Sequence, residues 1–438
     1  MNQYKIDVPL PDNREEGDGR HWLLAQKLRR LDPDSWTAQI LGGFIGVAAL
    51  SPLMLQPVLV YAYDVTLGYG PDIAGYISSA GLAGLALASL PVALRARQWC
   101  MGRVAVLGMA VMLVFTALIL WFRQPSALFF LTFMAGIGGG LAQAAVAAAF
   151  ARCRYFVRAF AIFTCLQFIY PGVSALFLLR LLNYDDWGVW GGFSGIQFAQ
   201  LALILPALIV APVLAAYKLP DNSRLPLADS EIAVKHFLSV PAVLSLLGMF
   251  IYGASNGAVF AYSEGIGRLA GLEPDMIGDV LVYVNVAAGI VVLGVIRFGD
   301  RINPYFPLIG GILAQLFALV IFFIAPTYAG YLLGMLVFIV AWAVVFQYFL
   351  SSQSELDKSG VVVVCGQFTN LIGAVLGPAI AAFFIGAEAA FVRALSVSAI
   401  LTFLALIPMV IVPVMLWKQR ITVLQDPEPQ PVMDGDVL

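Results

Sequence analysis

Long apolar stretches, broken by short polar turns, occupy the chain from Trp36 almost to its end. A helix needs about 20 mainly apolar residues to cross a bilayer. On that measure the pattern predicts twelve spans, over 36–62, 72–94, 104–122, 127–150, 159–182, 190–216, 237–262, 275–296, 305–325, 329–350, 360–385 and 389–416. Each run is continuously apolar, without the residue-by-residue alternation of a membrane barrel, so the backbone must satisfy its own hydrogen bonds as helix. Most connections are short, which sets neighbouring helices antiparallel. Residues 1–35 are polar and set the first apolar run too deep for a signal peptide. Within them Arg20–Leu31 is basic and amphipathic. Trp22, Leu23, Leu28 and Leu31 suit a membrane surface, while Arg20, Lys27, Arg29 and Arg30 suit anionic headgroups, or open water if the helix is simply solvated.

The basic residues orient these spans. With the N-terminus in the cytoplasm, 20 of the 24 Lys and Arg fall on the cytoplasmic side, leaving Arg123, Arg180, Arg268 and Arg393. This is the positive-inside pattern, and one span missed or invented would destroy it. An even number of spans places both termini inside. The location expected is a cell inner membrane, crossed many times.

Composition agrees: 61% of the residues are hydrophobic and 11% charged, against about 45–50% and 25% in soluble domains. The net charge of −2 says little about partners. Cys100 and Cys153 fall in polar connections, and Cys165 and Cys365 in apolar runs, with neither metal-type spacing nor a disulfide framework. No metal site and no cofactor are expected.

A repeat organises the spans. Pro71-Asp72-Ile73-Ala74-Gly75-Tyr76 opens the second span and Pro274-Asp275-Met276-Ile277-Gly278-Asp279 opens the eighth, 203 residues later. Pro pre-sets φ for a first helical turn, and Asp complements the helix dipole there. Spans six apart share an orientation, so the halves would form a parallel repeat. The expected fold class is an all-α polytopic membrane protein with twelve transmembrane helices in two six-helix pseudo-symmetric bundles. The corresponding domains are a cytoplasmic N-terminal segment (1–35), an N-terminal bundle (36–217), a cytoplasmic linker (218–236), a C-terminal bundle (237–417) and a cytoplasmic tail (418–438) expected to lack fixed structure.

At this level the chain resembles the major facilitator superfamily over residues 36–417. That family carries a turn with Gly, Asp-Arg, Gly and Arg/Lys between helices two and three, and again between eight and nine. Here the second copy reads Arg297-Phe298-Gly299-Asp300-Arg301 and keeps the Asp-Arg core. The first runs Leu94–Arg103, keeps the terminal Gly102-Arg103 and lacks the Asp; Arg97 stands opposite Asp300 at the repeat offset. The resemblance implies a cytoplasmic latch between the halves involving Asp300, Arg301 and Arg97, and a central cavity near mid-bilayer.

Polar side chains at membrane depth are costly unless they find partners or water, so they mark either interhelical bonds or a pathway. Gln167, Tyr170 and Ser174 share a face of helix five at i, i+3 and i+7; Tyr252, Ser255 and Asn256 share one in helix seven; Gln367 and Asn370 do so in helix eleven. Gln56 lies between Pro52 and Pro57 in helix one, and Gln143, Tyr283, Asn285, Trp342 and Gln347 are further candidates. Gly136, Gly138, Gly139 and Gly140 in helix four, with Gly366, Gly373 and Gly377 in helix eleven, are expected to bring backbones together.

No Asp, Glu, Lys, Arg or His falls well inside predicted helices one, four, five, ten or eleven. A phosphate or dicarboxylate would want a fixed Arg or Lys. The expected cargo is therefore a small neutral or amphipathic organic solute, held by amides, Tyr hydroxyls and aromatic faces. Proton coupling is left open, with Glu264 and Asp279 at helix ends as the coupling candidates. Helix one shows Gln56 in place of the acid of related drug–proton antiporters, which counts against multidrug efflux without removing it as an alternative. An enzyme is not expected: His21 and His236 lie near the cytoplasmic surface, and HExxH and Gly-rich phosphate loops are missing from the sequence. A non-transporting sensor is a further alternative. The expected partners are a small-molecule substrate, the lipid bilayer and, where coupling applies, protons; nucleic acid is not among them, and a monomer is expected.

Overall fold

The structure is a computed structural model describing residues 31–95, 99–150, 152–153, 156–181, 192–217, 239–298, 302–356, 361–386 and 390–425. Arg97, Asp300 and Arg301 lie outside the described residues, as do the 218–236 linker and nearly all of the Arg20–Leu31 segment.

The protein is an all-α polytopic membrane fold. Helix α1 (Trp36–Ala49) is capped by the Ser35 hydroxyl, which accepts from the Ala38 N–H at 3.2 Å. The expected single span over 36–62 is corrected at this point. The chain continues as α2 (Ser51–Met54), α3 (Gln56–Tyr61) and a π turn, Ala62–Thr66. Pro52 and Pro57 cause the breaks, since a proline lacks the N–H that a continuous helix needs and its ring crowds the preceding turn.

The other elements are α4 (Pro71–Arg95), α5 (Met101–Leu118), α6 (Pro125–Phe150), α7 (Phe156–Leu181), α8 (Gly192–Val210) with a 3-10 turn (Ala211–Ala216), α9 (Val240–Ala261), α10 (Ser263–Leu269), α11 (Pro274–Phe298), α12 (Tyr305–Ile324), α13 (Tyr328–Leu356), α14 (Val361–Ile385) and α15 (Phe391–Gln425). Among the described residues, ten helices are long and apolar enough to cross a membrane. Helix α15 runs on to Gln425, past the expected tail boundary at 418.

Both repeat sequences open helices of the same length: α4 and α11 have 25 residues each and carry Asp72 and Asp275 in their first turns. Helices α4 and α5 each pack on α6, with α1 against α6, α7 and α8; α9 packs on α14 and α15, and α12 on α13 and α15. Two large contacts join the earlier helices to the later ones, α7 with α11 and α4 with α14.

Glycine sets the tightest crossings. Gly253 and Gly257 on α9 face Gly373 and Gly377 on α14, with the backbone of one helix directly over the other. Gly136 and Gly140 on α6 likewise meet the carbonyls of Gly81 and Leu85 on α4. Without a hydrophobic force between helices in lipid, such close van der Waals contact is a main source of cohesion.

Candidate functional site

A cavity of ≈130 Å³ opens where the earlier and later helices meet. Helix α7 supplies Thr164, Gln167, Phe168 and Pro171, one face at i, i+3, i+4 and i+7. Pro171 has no N–H, so the Gln167 carbonyl loses its helical donor beside the cavity. Helix α13 adds Trp342, Ala343, Phe346 and Gln347; α11 adds Asn285, α14 Asn370, α9 Phe260 and α2 Leu53 and Met54. Phe260 and Trp342 form one wall with ring centroids 5.6 Å apart.

All of the lining is uncharged. Its polar groups are four carboxamides and one hydroxyl: Gln167, Asn285, Gln347, Asn370 and Thr164. Asn285 Nδ2 donates to the Leu281 carbonyl at 2.7 Å. Asn370 Oδ1 is buried against Gly253 of α9, with no hydrogen-bond partner among the described residues. A carboxamide donates and accepts at once, so this wall suits an uncharged solute carrying both kinds of group.

Of the residues the sequence points to, Gln167, Trp342 and Asn370 line this cavity, with Asn285 and Gln347. The others lie elsewhere. Tyr252 is fully buried and packs on Phe349 at 5.5 Å between centroids. Asn256 donates to the Tyr252 carbonyl at 2.8 Å and accepts from Gln315 Nε2 at 2.8 Å, inside the α9–α12 contact. Helical spacing gave both the right face for burial, but that face meets other helices of the same group. Gln56 is buried and donates to Ser78 Oγ at 3.1 Å, tying α3 to α4. Tyr170 is half-buried on α7 and packs against the apolar cores of both helix groups. Gln143 is half-buried on α6, Gln367 is exposed on α14, and Tyr283 is 57% exposed on α11. Asn256→Leu is expected to lower thermal stability in detergent by about 1 kcal/mol, the scale of one interhelical hydrogen bond. An unchanged melting curve would contradict a structural role.

A second cluster closes one end of this interface. Arg268 on α10 holds Asp64 of the π turn, Nη2 to Oδ2, at 2.7 Å. Its Nε also lies 3.1 Å from Glu264 Oε2. The guanidinium sits 5.3 Å from the ring centres of Tyr61 and Phe391. Nearby, the Tyr262 hydroxyl donates to the Pro71 carbonyl at 2.7 Å, and Gly75 leaves room for that hydroxyl. Glu264 thus sits in a buried charged cluster rather than at a solvated helix end, while Asp279 is half-buried on α11.

Asp64 and Arg268 were missed as site residues. Asp64 falls just past the expected end of span one, but the π turn carries the same crossing on through it. Helix one therefore does bring an acid to the interface, at its end. Two signals were available: Arg268 is one of four basic residues outside the cytoplasmic pattern, and Glu264 precedes it by one helical turn.

No family model matches the chain, and no curated protein matches it by sequence. Solved structures do match by fold. The nucleoside transporter NupG, in a mutant form, aligns with TM-score 0.66 at 13% identity, covering 86% of this chain and 99% of that one. A mutant of the peptide transporter POT in complex with sulfate aligns with TM-score 0.64 at 14% identity, covering 89% and 98%. A structure described for substrate recognition in proton dependent oligopeptide transporters gives 0.65 at 12% identity, covering 88% and 100%. The chain therefore shares the all-α polytopic fold of these structures.

Proposed function

We propose that this protein is a secondary transporter that carries a small neutral or amphipathic organic solute across the inner membrane by alternating access. The observation that carries this reading is the uncharged, carboxamide-rich cavity at the junction of the earlier and later helices. The architecture proposed is twelve membrane helices in two six-helix bundles, 36–217 and 237–417, joined by a cytoplasmic linker, with both termini in the cytoplasm.

Several observations support the two-bundle reading. Moving α6 (Pro125–Phe150) along the sequence by the repeat offset lands on α13 (Tyr328–Leu356), and α7 (Phe156–Leu181) lands on α14 (Val361–Ile385). The same step turns the α4–α14 contact into the α11–α7 contact, as a two-fold between bundles requires. Two gripping pairs related in this way can rock about a site between them. The positive-inside pattern sets the Asp64–Arg268 end outside, so this conformation is closed outside the cavity. Gln167, Trp342 and Asn370 are proposed to contact the solute, with Asn285 and Gln347. Glu264 and Asp279 are the proposed coupling residues, and the Asp300-Arg301 turn with Arg97 the proposed cytoplasmic latch.

The test is uptake by liposomes holding the purified protein, across a panel of uncharged and charged metabolites, with and without a pH gradient. Saturable uptake of an uncharged solute is expected. Transport confined to organic anions or cations would overturn the reading.

A further inference from the structure

Asp64, Glu264 and Arg268 surround a void of ≈10 Å³ whose lining also includes Tyr61 and Tyr262, about the room one water needs. Two carboxylates share one guanidinium, and Arg268 is the sole cation among the described residues lining the void. Glu273 also faces Tyr61, Asp72 and Tyr76 face Tyr262, and Tyr331 lies near Glu264, and none of these brings positive charge. Among the described residues lining the void, the group is therefore one positive charge short.

The sharing is unequal. Arg268 makes an aligned hydrogen bond to Asp64, whereas its Nε–H is not aimed at Glu264 despite the 3.1 Å separation. Glu264 Oε1 is buried with no partner, and its side chain is 2% exposed against 12% for Asp64. A buried carboxylate oxygen without a donor is costly as an anion and tolerable as an acid. Geometry and charge count thus place the missing positive charge on Glu264.

We propose that Glu264 is the proton-binding site of an outer gate, and that its proton decides which carboxylate holds Arg268. Protonated Glu264 leaves Arg268 to Asp64, a bond that ties the first bundle to the second. When the proton returns to the outer water, the Glu264 anion draws Arg268 back along its own helix, and the bundles are released. The only bond made or broken is the carboxyl O–H, with water as donor and acceptor. Calling this end the outer gate rests on the alternating-access reading; the switch itself does not.

The sign of the pH effect follows from burial. Glu264 lies in α10, beyond the end of the α9 span, and burial there pushes its carboxyl up to about 8, with Arg268 pulling the other way and Asp64 adding to the rise. In an opened, hydrated state it would return to the ordinary carboxylate range. The closed state therefore binds more protons, so acid favours closure and the preference fades as pH climbs through about 8.

The experiment places spin labels on Gln124→Cys and Ala329→Cys, exposed at this end of the two bundles, with the four native cysteines changed to Ser. Distances are measured on the full chain in liposomes from pH 6 to pH 9. The long-distance population is expected to rise about tenfold or more across that range. Glu264→Gln should stay closed and flat with pH, and Arg268→Gln should stay open throughout. A Glu264→Gln protein that keeps the wild-type pH profile overturns the proposal. If that variant does not fold, an Arg268→Gln protein that remains closed and pH-sensitive overturns it equally. Titrating distances in a protein that moves no solute would count against the transport reading and leave the switch standing.

Discussion

Gly373→Val is expected to leave little folded protein. A Cβ at this position would fall on the Phe250 carbonyl, 2.8 Å from the Ala254 nitrogen and 3.1 Å from the Gly253 carbonyl carbon. All three are backbone atoms of α9, which cannot turn aside as a side chain does. The same holds one turn further on, where a Cβ at Gly377 would lie 2.7 Å from the Ala258 nitrogen. Relief would require the helices to separate along the whole α9–α14 contact. Overpacking costs about 1–3 kcal/mol where neighbours can adjust, and more where they cannot. Gly294→Val and Gly310→Val are the controls, because nothing lies within 4 Å of a Cβ at either position. Size-exclusion profiles and melting curves of the three variants check this. A Gly373→Val protein that elutes and melts like its controls would show that the contact is looser than described.

The second large effect is expected on solute binding. Asn370 lines the cavity from α14, and Gln347 lines the same space from a different helix. Asn370→Leu keeps nearly the same shape and removes the carboxamide, so a solute polar group that met it would be buried unpaired. That loss is worth about 1–3 kcal/mol, or roughly tenfold in affinity for each 1.4 kcal/mol. The Asn370→Leu and Gln347→Leu double variant should lose about 100-fold if the two act independently. Such losses belong in KM, with the maximal rate little changed, because the contact is made in the bound ground state. Uptake kinetics of the solute identified in liposomes provide the measurement. An unchanged KM in folded Asn370→Leu would remove this residue from the site.

Much of the fold was written along the chain. Pro71-Asp72 and Pro274-Asp275 mark helix starts by local chemistry alone, and both helices begin there. The glycines of helices four and eleven implied close backbones, and those backbones touch. The broken course of the first crossing was less legible. Gln56 between two prolines signalled a bend, but no local signal carried the crossing through Asp64 in a π turn.

The candidate site divides differently. Amino-acid type and helical spacing determined which polar residues must turn away from lipid, because burying an amide in hydrocarbon is costly wherever the helix lies. They could not determine what each buried face meets. Asn256 and Asn370 are alike in chemistry and both lie within spans, yet one bonds to Gln315 inside a helix group and the other borders the cavity. That choice depends on the rotation of α9 and α14 about their axes, which their glycine contact sets. The meeting of Asp64 with Arg268 spans 204 residues of sequence and joins two elements that no local signal pairs. Hydrophobicity and turn chemistry are local sums, so the sequence alone determined the all-α polytopic character and the starts of α4 and α11. Contacts between distant helices are products of three-dimensional packing, and only the tertiary structure decided which of the buried polar residues share a cavity and which charges meet at its closed end.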